Sequence, residues 1–148
     1  MLAVLTLACA GGTAVARTYV PNCGTTYYLE YKPAYWSAGC TGGSPTMPTA
    51  TWRRWGSHVA RGTGTAQLRG PCRASCVDAK VYESSGRLSL YGTRRCVDGR
   101  GRRQLYFSRA RFSVYFRAHN LFGYPKGWRT FPVFTTIAYQ GECRLTQE

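Results

Sequence analysis

The chain has 148 residues, with 20 Lys or Arg against 6 Asp or Glu and a formal net charge of +14. That length fits one domain, and the charge implies attraction to polyanions while saying nothing about fold. Only two histidines are present, which excludes chemistry built on a histidine cluster.

The chain opens on an apolar run, Met1 to Ala8, followed by small residues and Ala14-Val15-Ala16. An apolar stretch ending in A-x-A is a signal-peptide pattern, so residues 1–16 are expected to be removed, leaving one domain over 17–148. The run lacks the positive start usual for such signals. It is too short to span a bilayer, which takes about 20 apolar residues, and no transmembrane segment is expected. A buried N-terminal strand is the competing reading, and the small-residue tail does not fit it. Lipid anchoring through Cys9 is the alternative to free secretion, although Thr6 is a poor residue three places before a lipidated cysteine.

Beyond residue 16 lie six cysteines: Cys23, Cys40, Cys72, Cys76, Cys96 and Cys143. An even number in an exported chain reads as a disulfide framework whose connectivity is open. Cys72 and Cys76 lack a second ligand pair at zinc-site spacing, so no metal and no cofactor is expected.

Short runs of β-branched and aromatic residues lie between turn signals, and no helical period extends beyond two turns. This predicts an all-β fold, a single antiparallel β-sandwich with a small β-barrel as the alternative. In chain order the expected strands are 26–31, 49–55, 58–68, 79–83 and 87–91, the last two separated by a turn at Ser84-Ser85-Gly86. A long strand follows over 104–107 and 110–117, then a final one over 132–139. Along the long strand Ala110, Phe112, Val114 and Phe116 share one face, and Arg109, Arg111, Ser113, Tyr115 and Arg117 share the other. Leu105 and Phe107 have the opposite parity, which a bulge near Ser108 would reconcile. In the fifth strand Leu88 and Leu90 point inward and Arg87, Ser89 and Tyr91 outward. Trp52 and Trp55 have opposite parity, so only one can enter a given core layer unless the strand bulges. Asp98-Gly99-Arg100-Gly101 has turn chemistry and is ringed by Arg94, Arg95, Arg100, Arg102 and Arg103. Their mutual repulsion predicts a solvated, mobile hairpin tip unless an anion binds there.

Residues 40–117 carry Cys40 twelve residues before Trp52-Arg53-Arg54-Trp55-Gly56, then Ala60-Arg61-Gly62-Thr63-Gly64-Thr65, then Cys72 and Cys76, then Cys96. This pattern resembles an uncharacterised family of small secreted actinobacterial proteins. Members usually have C-x-P-x-C, whereas this chain has Ala74 between the cysteines and Pro71 before them. The resemblance implies secretion, offers no activity, and implies the pairing Cys72–Cys76, Cys40–Cys96 and Cys23–Cys143.

Catalytic chemistry finds little support. A nucleophilic triad needs converging Ser or Cys, His and acid, and no G-x-S-x-G is present. His58 and His119 are isolated. Glu30, Asp78, Glu83 and Glu142 show no spacing that selects a carboxylate pair. Binding fares better. Arg109, Arg111 and Arg117 share one strand face on which alternate residues lie about 7 Å apart, and guanidinium forks suit phosphate or carboxylate. With Arg94, Arg95, Arg100, Arg102 and Arg103 they form the candidate polyanion site. Tyr27, Tyr28, Tyr31, Tyr35 and Trp36, and the aromatic loop 121–128, supply either core or stacking surface. No specific nucleic-acid motif is present. The expectation is a secreted, non-catalytic basic protein associating with an anionic envelope or extracellular polymer. The alternatives are a small nuclease-like hydrolase of a polyanion and a protein-binding module such as an inhibitor, presenting a stapled loop at 69–78.

Overall fold

The structure, a computed structural model, describes residues 17–23, 27–39, 41–70, 78–98, 100–134 and 143. The expected signal peptide with Cys9, the Cys72–Cys76 loop, Cys40 and positions 135–139 of the last expected strand lie outside these residues. The fold is all-β. Its strands are β1 (Thr18–Cys23), β2 (Tyr27–Glu30), β3 (Trp36–Ser37), β4 (Thr46–Met47), β5 (Thr51–Trp55), β6 (Ala60–Arg69), β7 (Val81–Val97), β8 (Arg103–Phe116) and β9 (Gly127–Phe134). No described helix is long and apolar enough to cross a membrane.

The strands form one curled sheet in the order β2-β1-β8-β7-β6-β4-β3, with β5 also on β6 and β9 also on β8. The sheet is not purely antiparallel, because β1 joins β8 in parallel at Thr18↔Leu105 and Tyr19↔Tyr106. The curl gives an open half-barrel and brings β3 back towards β1. Asn22, buried in β1, bridges that seam. Its Oδ1 accepts the Ser37 N–H at 2.9 Å and its Nδ2 donates to the Tyr35 carbonyl. The Trp55 indole N–H donates to the Thr18 carbonyl at 2.9 Å, tying β5 to β1.

Alternation decides what lies inside. Leu88 and Leu90 of β7 and Ala110, Phe112, Val114 and Phe116 of β8 are all buried, together with Val20, Trp36, Met47 and Phe107. Each large side chain removed from water contributes about 1.5–3 kcal/mol. Trp36 packs on Phe112 with ring centroids 5.6 Å apart, so the short β3 reaches the floor of the curl.

Two local expectations are corrected. Residues 84–86 form no turn: β7 runs unbroken through them, with Ser84, Ser85 and Gly86 paired to Ala66, Thr65 and Gly64 of β6. Small residues are needed there by packing, since a Cβ on Gly86 would lie 2.8 Å from Ala66 Cβ and 2.9 Å from Met47 Cε. Near Ser108 no residue is inserted, because Tyr91↔Arg109 and Thr93↔Phe107 keep one register. The irregularity is Gly92 at φ +69°, whose carbonyl accepts the Ser108 hydroxyl. The register shift occurs instead between Trp52 and Arg54 on β5. It lets Trp52 and Trp55 meet edge to face at 4.5 Å, which resolves their opposite parity.

The disulfide scheme is also corrected. Cys96 is bonded to Cys143, with Cα atoms 5.2 Å apart, and the Cys143 N–H donates to the Val97 carbonyl at 2.7 Å. One sulfur makes one disulfide, so Cys40–Cys96 and Cys23–Cys143 are both excluded. Cys96 is paired with Gln104 near the tip end of β7, and Cys143 lies there beside Val97. Cys23 is also oxidised, to a partner outside the described residues.

Candidate functional site

Because the curl buries one face, the other face of β5 to β9 is turned to solvent. Its register assembles rows across the strands. One row runs Arg54–Arg61–Ser89–Arg111–Pro132 across five strands. The next runs Thr51–Thr63–Arg87–Ser113–Thr130. On the other side lies the Tyr91–Arg109 pair. Arg54, Arg61, Arg87, Arg109 and Arg111 are all exposed, and no acidic residue stands in these rows. Among the described residues the ion pair is Arg102–Asp98, so none of these five arginines is neutralised by a described carboxylate.

Two of the five are held on aromatic rings. The Arg87 guanidinium lies 3.9 Å from the centroid of the Trp128 ring, and Arg111 lies 5.4 Å from that of Tyr91. Tyr115 supports Trp128 edge-on at 5.6 Å. Such cation–π contacts each contribute about 0.5–1 kcal/mol at exposed sites, enough to bias where a long side chain rests. The Ser113 and Thr130 hydroxyls hydrogen-bond each other at 2.7 Å beside them. A hollow of about 240 Å³ is bounded by Val59, Arg61, Ser89, Tyr91 and Arg111. Two arginines therefore flank one serine in the same cross-strand row beside it.

The structure divides the eight arginines singled out from sequence. Arg109 and Arg111 lie in this face. Arg117 is exposed just beyond β8, where its N–H donates to the Tyr82 hydroxyl at 2.8 Å. Arg94 turns to Tyr106, whose phenol is pushed up by burial and pulled back by that guanidinium. Arg95 and Arg103 are exposed opposite Leu105 and Val97 respectively. Arg100 and Arg102 belong to the hairpin tip, and the tip is organised rather than loose. Asp98 accepts the backbone N–H groups of Arg100 and Arg102, both at 2.9 Å, and the Arg102 guanidinium at 2.8 Å. The chain thus supplies its own anion there. Arg54, Arg61 and Arg87 are the functional candidates that sequence reasoning missed. Alternation showed Arg87 pointing outward, but only the register reveals its neighbours.

The histidines assemble nothing comparable. His58 and His119 are exposed in turns, and neither contacts a carboxylate among the described residues. Glu30 accepts from Asn22 at 2.9 Å and Glu83 from Gln67, so each acid is engaged separately. A second cleft of about 490 Å³ lies between Leu68, Phe122, Tyr124, Phe131 and Val133 and is mainly apolar. No family model, curated protein or solved structure matches this chain.

Proposed function

We propose that this is an exported, non-catalytic protein that holds an anionic polymer of the envelope or extracellular space across the outer face of β5 to β9. The observation that carries the reading is the cross-strand row Arg54–Arg61–Ser89–Arg111, flanked by Arg87 and Arg109, with no described carboxylate beside it. Neighbouring strands lie about 4.8 Å apart and alternate residues about 7 Å apart, so the guanidiniums form a two-dimensional grid suited to successive charges of a chain. Export is supported by the apolar opening with its A-x-A end and by oxidised cysteines, which persist in oxidising compartments. This reading places the chain with the small secreted actinobacterial proteins it resembles. The sheet is read as an incompletely closed barrel, its seam bridged by Asn22 rather than by a ladder. The nuclease-like alternative lacks a described histidine, acid and arginine in one pocket.

The test is binding of the oxidised full chain to polyphosphate, a polyuronate and nucleic acid across a salt series. Binding is expected to survive near-physiological salt. Arg61→Ser and Arg111→Ser should each lower the salt slope on a phosphate polymer by about 1, whereas Arg95→Ser and Arg103→Ser should have less effect. Loss of binding to every polymer at modest salt would reject the reading.

A further inference from the structure

We propose that the polymer this face takes is single-stranded nucleic acid, with bases stacked on the guanidiniums of Arg87 and Arg111; this rests on the polyanion reading above. Net charge alone does not distinguish a phosphodiester chain from an acidic polysaccharide. The arrangement of the arginines does. Two of the five are laid over rings, Arg87 on Trp128 and Arg111 on Tyr91. A guanidinium resting over a ring is a planar surface whose position the ring biases, and guanidinium planes and aromatic rings are the stacking platforms on which unpaired bases settle. A uronate or sulfated sugar has no π-face to use such a platform.

Arg87 pairs with Ser113, two positions from Arg111 on the adjacent strand. Diagonal neighbours of this kind are about 7–8 Å apart at the backbone, a step that an extended single strand can span between bases. Arg54, Arg61 and Arg109 have no cation–π contact among the described residues and remain for phosphates. The hollow of about 240 Å³ bounded by Arg61, Ser89, Tyr91 and Arg111 is where Arg61 would take one phosphate beside a base stacked on Arg111. Because every base has a π-face, such a surface discriminates weakly among sequences, which agrees with the absence of a sequence-reading motif. Duplex DNA hides its base faces and would be held by charge alone.

The experiment compares a mixed-sequence single-stranded oligonucleotide, an abasic oligonucleotide of equal length and charge, the matching duplex and a polyuronate, all on the oxidised full chain at near-physiological salt. The base-bearing strand is expected to bind at least tenfold more tightly than the abasic one. Trp128→Ala with Tyr91→Ala should remove roughly tenfold per platform from the base-bearing strand and leave the abasic one unchanged. Arg87→Lys with Arg111→Lys keeps the charge and the exposed positions while removing the guanidinium planes, and should erase the same preference without any question of misfolding. Equal binding of base-bearing, abasic and polyuronate chains, insensitive to these changes, would overturn the nucleic-acid assignment and leave the polyanion reading standing. Binding to none of them would overturn both.

Discussion

Asp98 organises the tip of the β7–β8 hairpin with one side chain. The backbone N–H of Arg102 is the largest influence on its carboxyl, with the Arg100 N–H, the Arg102 guanidinium and the Gln104 amide adding to it. Together they hold it at about 2, below the ordinary 3.8. A depressed pKa in the folded state means the contribution to stability is complete above pH 3.8 and is lost as pH falls through about 2. Carboxyl titration by NMR should place the Asp98 midpoint near 2. The Arg100 and Arg102 amide resonances should move with it between pH 4 and 2. A midpoint near 3.8 would show that the tip hydrogen bonds do not persist in solution. The same contacts explain why five arginines beside a glycine-rich turn do not simply splay. Repulsion among exposed guanidiniums is weak in water, whereas a carboxylate accepting two N–H groups of its own turn acts at contact distance.

At the scale of elements, the unbroken course of β7 depends on small side chains where the Met47 side chain of β4 reaches it. Gly86→Ala places a Cβ against Ala66 Cβ and Met47 Cε. The methionine end can swing away, but Ala66 cannot, so a loss of about 1–3 kcal/mol is expected, read as a lower urea midpoint at unchanged slope. Adding Met47→Ala would not restore it, because the Ala66 contact stays. A midpoint within error of the parent would mean that β6 and β7 are not as close as described. This contact also shows what a lone sequence conceals. Ser84-Ser85-Gly86 has turn chemistry, and nothing local reveals that Met47, far away in the chain, requires a flat place there. Alternation in β8 was legible because a buried face imposes period two on one strand. Register was not legible, since it belongs to pairs of strands, and so Arg54 and Arg61 could not be joined to Arg111 beforehand. β3 and β4, with two residues each, and β1, interrupted by Pro21, carry too little pattern to be read as strands.

For the whole molecule, the question is what holds a sheet of this curvature together while it carries so much positive charge. The seam at Asn22 offers hydrogen bonds from one side chain, and the apolar floor gathers around Trp36 and Phe112. The Cys96–Cys143 bond adds a constraint of another kind. It joins residues 47 apart in sequence and so fastens the segment after β9 to the tip end of β7. In the chain-entropy account, closing a loop of that size stabilises the folded state by about 4 kcal/mol. Replacing both cysteines with alanine should therefore cost up to that amount, measured by urea unfolding under non-reducing conditions. The single replacement Cys96→Ala should be worse in handling, since it leaves the Cys143 thiol available for exchange. Polymer binding by the double variant should match the parent wherever it remains folded, because the arginine rows are set by the β5 to β9 register and not by this bond. A loss well below 1 kcal/mol would mean that the segment after β9 stays docked in the unfolded ensemble or contributes no constraint. A loss of binding at full folding would mean that the C-terminal segment forms part of the polymer surface.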